Sequence, residues 1–82
     1  MSYYFYILRC ADNSLYSGIT SNLEKRVREH NSVNSRGSKY TRAKRPVKLI
    51  YSEKYRSKKT AMKREIEVKR LTKVEKEKLV LL

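Results

Sequence analysis

Few residues in this chain can do chemistry, and their types narrow what chemistry that is. His30 is the only histidine, and an imidazole takes or gives a proton near neutral pH. Arg26 lies four residues earlier, so on a helix the two side chains project from neighbouring points. A proton acceptor beside a fixed cation suits phosphodiester cleavage, because negative charge builds on the phosphoryl oxygens as a nucleophile attacks. The bland alternative for His30 is a packing residue at the end of an amphipathic helix. Glu65 is the third candidate. Asp12 is the only aspartate and falls in a turn signal; the other carboxylates are Glu24, Glu29, Glu53, Glu67, Glu75 and Glu77. A two-metal nuclease needs several converging carboxylates, and this chain is too poor in them. If a metal acts here, one carboxylate holds it, with water and substrate phosphate completing the shell. Ala61, Met62, Ile66, Val68 and Leu71 mark a core-facing side, and Glu65 lies on it between Ala61 and Val68. A carboxylate there needs a partner or a metal; the bland alternative is a Glu that reaches solvent or pairs with a nearby Lys.

The chain has seven tyrosines: Tyr3, Tyr4, Tyr6 and Tyr16 near the start, Tyr40, Tyr51 and Tyr55 later. Any one of them serves as a core aromatic with its hydroxyl at the surface. A tyrosine that acts as a base needs a neighbouring cation to lower its pKa. Arg36, Lys39, Tyr40, Arg42, Lys44 and Arg45 combine cations with one aromatic, which suits a groove that tracks a nucleic-acid backbone and offers one stacking platform. A solvated basic loop is the alternative. Cys10 reads as an inert strand residue.

The elements that must position these groups follow from pattern. Tyr3 to Cys10 (YYFYILRC) is a buried strand. Ala11 to Ser14 is a turn, and Leu15 to Thr20 is a second strand antiparallel to the first. Gly18 inside it predicts a bulge or a close approach by a ligand or another backbone. Whether Tyr6 and Tyr16 share a face depends on whether the turn has an odd or even number of residues. Ser21 and Glu24 have capping-box spacing, ahead of a helix over about 22–31. Residues 31–39 are rich in Ser, Asn and Gly and read as loop. Tyr40 to Arg45 is expected to be extended, ending at Pro46. Val47 to Tyr51 is a third strand. Ser57 caps a helix running to about Leu71, and Thr72 with Glu75 caps a last helix to about Val80. The order β-β-α-β-α-α makes an α+β fold. A small mixed or antiparallel three-stranded sheet is covered by helices, in one domain over 1–82.

Composition bounds the function. In 82 residues, 21 Lys+Arg stand against 8 Asp+Glu, a net charge of +13. Such a field favours polyanions: DNA, with RNA left open, over a membrane surface. A surface-lying helix needs bulky apolar anchors, and the chain has no Trp and one Phe. The apolar share of 39% is too well grouped for a disordered basic tail. No apolar run reaches the length of a transmembrane helix. Met1-Ser2-Tyr3-Tyr4 has no basic segment before its short apolar run, so no signal peptide is expected. The single cysteine has no disulfide partner within the chain and fits a reducing, cytoplasmic location.

Tyr6-Ile7-Leu8 in the first strand, Tyr16-Ser17-Gly18 in the second, Arg26, His30 and Asn31 within RVREHN, and Glu65 within AMKREIE form an ordered set. Their order and spacing resemble the GIY-YIG nuclease superfamily, in particular its small stand-alone bacterial members, over about Tyr4 to Leu79. The chain departs from the pattern in three places. The leading Gly of the first motif is absent, Ser17 replaces an Ile, and no Asn stands near Lys76 and Glu77, where many members carry one. The resemblance implies that Glu65 binds one divalent ion, Mg²⁺ or Mn²⁺, that holds a phosphate oxygen and the leaving 3′-oxygen. It implies that Tyr16 or His30 helps deprotonate the attacking water, that Tyr6 positions the phosphate or that water, and that Arg26 neutralises developing charge. Gly18 then lets the backbone pass close to the site. The implied function is a metal-dependent DNA endonuclease of repair or recombination. With no room for a targeting domain, it is structure-selective or weakly selective, or is directed by a partner protein. The alternative is a basic nucleic-acid-binding module that keeps the fold without catalysis.

Overall fold

The structure, a computed structural model, describes residues 1–32 and 39–82. The elements run β1 (Tyr3–Arg9), β2 (Leu15–Thr20), α1 (Leu23–Asn31), α2 (Lys39–Arg42), β3 (Lys48–Tyr55), α3 (Lys58–Lys69) and α4 (Lys73–Val80). The expected order is met, with one addition. Where extended chain was expected from Tyr40 to Arg45, residues 39–42 form a turn of helix, closed by Lys44 N–H donating to the Thr41 carbonyl at 3.0 Å. Local charge suggested extension; the inward position of Thr41, which is fully buried, overrides it.

The sheet is wholly antiparallel, in the order β2-β1-β3. β1 is central because it alone is apolar on both sides: Phe5, Tyr6, Ile7 and Leu8 are all buried. The β1–β2 turn is tied by Asp12, whose Oδ1 accepts from the Ser14 N–H at 3.0 Å, and Asn13 takes the left-handed conformation at φ 70°. Arg9 pairs with Leu15, which leaves an odd number of residues between the strands. Tyr6 then faces Gly18 and Leu8 faces Tyr16, so Tyr6 and Tyr16 share a face. β3 is longer than expected, reaching Tyr55 through the polar run Ser52-Glu53-Lys54. Pairing with the aromatic half of β1 extends it, and Ile50 is the extra residue where the register shifts opposite Ile7/Leu8.

Helices cover both faces. Tyr6, Leu8, Cys10 and Val47 pack with Tyr16, Leu23 and Val27 of the α1 side. Phe5, Ile7 and Val68 pack with Ile19, Tyr51, Leu71 and Leu79 on the α3–α4 side. The start of α1 differs from expectation. Asn22, not Ser21, is the cap, and its Oδ1 accepts from Lys25 N–H at 3.1 Å. Thr20 Oγ1 accepts from Asn22 N–H at 3.1 Å and so fixes Asn22 in place. The Ser57 cap and the Thr72–Glu75 capping box form as expected. On α3, Ala61 and Val68 are buried, but Met62 and Ile66, expected to face the core, are 44% and 51% exposed. Seven residues bring a helix back to one face, whereas Met62 lies about 100° round from Ala61. Among the described residues, no helix is long and apolar enough to cross a membrane.

Candidate active site

The site is built on Tyr6. It leaves the middle of β1 on the α1 side, and its ring runs across Gly18 of β2. A Cβ at Gly18 would sit 2.7 Å from Tyr6 Oη and 2.9 Å from Cζ. Glycine is needed there for space, but what approaches is the Tyr6 side chain, not the ligand or backbone expected, and β2 pairs without a bulge at this position.

The C-terminal turn of α1 meets that hydroxyl. His30 Nε2 is 3.0 Å from Tyr6 Oη, and His30 Nδ1 is 2.7 Å from Thr41 Oγ1 of α2. The ring is only 1% exposed. Burial and then the Arg26 charge push His30 down to about 4, with Glu29 partly offsetting them. The imidazole is therefore neutral near pH 7, one nitrogen donating and the other accepting. Arg26, one turn earlier, donates to Glu29 Oε1 at 3.0 Å and also lies against the Tyr6 hydroxyl. Burial opposes the Arg26 charge, but Glu29 and Tyr6 outweigh it and hold the guanidinium protonated.

Tyr16 packs edge-on against His30, with ring centroids 5.1 Å apart. Glu65 approaches from α3. Its Oε2 lies 3.4 Å from Lys69 Nζ, its side chain is 21% exposed, and its charge acts on the Tyr6 hydroxyl. Burial is the main reason Tyr6 is pushed up to about 12; Arg26 pulls down, while Tyr16 and Glu65 raise it. Tyr6, Tyr16, Arg26 and His30 thus come together, from β1, β2 and α1, around one phenol, and Glu65 of α3 lies within electrostatic reach of it.

The arrangement limits the proton chemistry. His30 is sealed from bulk water and both its nitrogens are engaged, so a proton reaches it through Tyr6 or Thr41. Among the described residues, no three His, Cys, Asp or Glu side chains converge as a ligand set. The residue expected to hold a metal, Glu65, would supply one carboxylate, and its side chain is 21% exposed. That fits a hard divalent ion that keeps waters and takes oxygen ligands from a phosphate.

The predicted basic segment divides. Tyr40 stacks on Tyr16 with centroids 5.7 Å apart, so the aromatic platform adjoins the site. Lys44 Nζ lies 4.4 Å above the Tyr40 ring and 2.8 Å from Asp12 Oδ2. Arg45 spends its guanidinium on the backbone, donating to the carbonyls of Arg42 and Ser32. Arg42 is exposed on α2. Lys39 opens α2, and Arg36 lies outside the described residues. Asn31 is taken up structurally: its amide donates to the Val47 carbonyl at 3.0 Å and accepts from the Val47 N–H at 2.7 Å. Sequence reasoning missed Thr41 and Glu29. The i, i+3 spacing of Arg26 and Glu29 is a visible signal; Thr41 has none, since its partner His30 is 11 residues away in sequence.

The model of the GIY-YIG catalytic domain matches residues 2–78. A UPF0213 protein of Natronomonas pharaonis is 49% identical over 78 residues, covering 95% of this chain and 89% of that protein. A UPF0213 protein of Clostridium perfringens is 51% identical over 77 residues, covering 94% and 81%. The solution structure of a UPF0213 protein from Bacillus halodurans superposes with TM-score 0.62 at 41% identity, covering 98% of this chain and 83% of that one. A protein of E. faecalis superposes with TM-score 0.65 at the same 41% identity and coverage.

Proposed function

The chain belongs to the GIY-YIG catalytic-domain family, among its small UPF0213 members, and from that premise we propose that it is a divalent-metal-dependent endonuclease hydrolysing DNA phosphodiester bonds. Residues 1–82 act as one such domain. The observation that supports the proposal is the meeting of Arg26 and His30 at the Tyr6 hydroxyl, with Tyr16 packed on His30 and Glu65 within electrostatic reach.

Each side chain has a role its surroundings support. Glu65 holds Mg²⁺ or Mn²⁺. When bound, such an ion would supply Lewis acidity to the phosphoryl group under attack. Arg26, held charged by Glu29, neutralises the charge that builds on the phosphoryl group. Tyr6, protonated at neutral pH, donates to a phosphate oxygen or orients the attacking water. The proton leaves that water for the phenolate form of Tyr16, or for the Tyr6 hydroxyl as Tyr6 passes its own proton to His30 Nε2. Tyr40, stacked on Tyr16, borders the site as a platform for a base. Substrates are branched, flapped or nicked DNA met in repair and recombination, because the chain offers charge and shape rather than a base-reading element.

The test is cleavage of a panel of single-stranded, duplex, flapped and four-way-junction DNA with Mg²⁺, Mn²⁺ or EDTA. Wild-type protein should cut at least one substrate, and EDTA or Glu65→Ala should abolish cutting. Tyr16→Phe and His30→Gln then separate the two proton routes, since only the variant on the true route loses more than about a hundredfold. No cutting by wild type with either ion, with salt-dependent binding intact, would leave the non-catalytic binding module as the function.

A further inference from the structure

Helix α3 carries a surface that the proposed chemistry does not use. Met62 and Ile66 are 44% and 51% exposed and lie four residues apart, so they form one apolar strip along the helix. At about 100° per residue, that strip borders the side holding Glu65. Lys69 stands between the strip and Glu65, and exposed Lys59, Lys63 and Arg70 stand on its outer side. The opposite flank of α3 is different in kind. There Arg64 is paired with Glu53 at 2.9 Å and Glu67 at 3.3 Å, turned toward β3. The apolar strip is therefore framed by cations, next to the carboxylate of the site.

We infer that Met62 and Ile66 form a contact surface for unstacked nucleobases of a nucleic-acid strand whose phosphates run along Lys59, Lys63 and Arg70. This rests on the nuclease reading of the neighbouring site and narrows its substrate. Charge complementarity selects the occupant. A cation-framed apolar strip repels a second copy of itself but suits a polyanion with apolar faces. An intact duplex offers such a strip only phosphates and sugars, because its base faces are stacked away. A single strand, a flap or a distorted step offers base faces, and Met and Ile are side chains that pack on or wedge between them. The strip therefore favours DNA with unpaired bases beside the scissile phosphate over continuous duplex.

The experiment separates this inference from catalysis because it is done in EDTA, where no cutting is expected. The chain has two methionines, Met1 and Met62, so methyl-¹³C-methionine protein gives two resolvable signals. Titration with a flapped oligonucleotide should shift Met62 and leave Met1, which is 95% exposed at the terminus, nearly unmoved. An equal duplex should shift Met62 much less. Met62→Ser/Ile66→Ser should lose about tenfold in affinity for the flap, a loss consistent with exposing part of two apolar side chains, and little for duplex. Lys59→Gln/Lys63→Gln should weaken both and flatten the salt slope. A Met62 signal that stays put at saturation, or shifts equally with duplex, would overturn the inference. The cleavage panel with wild-type protein judges the nuclease reading separately.

Discussion

At Tyr6 and His30 the chemistry depends on burial. An ordinary imidazole takes its proton near 6.5, but His30 in the fold does so only near 4. Between those values the unfolded chain binds a proton that the folded chain refuses. His30 therefore contributes stability that is complete above pH 6.5 and is lost as pH falls toward 4. Thermal melts from pH 7 to 4.5 should show falling stability, and His30→Gln should remove most of that slope; an unchanged slope in the variant would mean other groups carry it. Gly18 offers a second residue-scale test. An alanine Cβ would press on Tyr6 Oη at 2.7 Å, and the hydroxyl is held by His30 on its other side. Gly18→Ala should cost about 1–3 kcal/mol in urea unfolding and lower cleavage more than tenfold. Wild-type activity in that variant would mean that the Tyr6 position is not critical.

Among the elements, α3 has the decisive placement, since it brings Glu65 to the site from the other side of the sheet. Glu53 of β3 anchors it. Its carboxylate accepts from the Tyr51 hydroxyl, from the Tyr55 hydroxyl at 2.6 Å, and from Arg64 Nε and Nη2 at 2.9 and 3.2 Å. Arg64 points toward β3, and Glu65, the next residue, pairs with Lys69 and lies within electrostatic reach of Tyr6. Glu53→Gln removes the charge that gathers these donors and should destabilise the protein by about 1–3 kcal/mol. Cleavage should fall further than DNA binding, because the binding cations lie elsewhere. Equal losses in both would argue that the anchor is merely structural. The hairpin, α1 and α4 were legible in sequence because local signals mark them: an aromatic run, a turn at Asp12–Asn13, a capping box at Thr72. α2 and the far half of β3 were not. Thr41 is drawn inward by His30, 11 residues earlier in the chain, and Ser52-Glu53-Lys54 becomes strand only by pairing with β1.

For the molecule as a whole, charge sets the encounter. With a net charge of +13, association with DNA should be fast and strongly salt-dependent. If about six phosphates are neutralised, log K should fall with log salt at a slope near −5 between 50 and 200 mM. Fluorescence anisotropy in EDTA measures this without cleavage. A flat response would reject nucleic acid as the partner. The fold tolerates this repulsion in part by pairing charges across elements, as where Arg9 of β1 donates to Glu77 of α4 at 2.6 and 2.8 Å.

The sequence by itself determined what is local or summed along the chain. It set the basic field, the scarcity of aspartate, the strand and helix periods, and the ordered Tyr6, Tyr16, Arg26, His30 and Glu65. Tertiary structure alone decided their meeting. The odd turn puts Tyr6 and Tyr16 on one face, the absence of a side chain at Gly18 lets the Tyr6 ring cross β2, and Thr41 closes over His30. It also decided which side of α3 is buried, leaving Met62 and Ile66 outward. Each of these depends on contacts between residues far apart in the chain, which no local propensity encodes and which only packing both faces of the sheet selects.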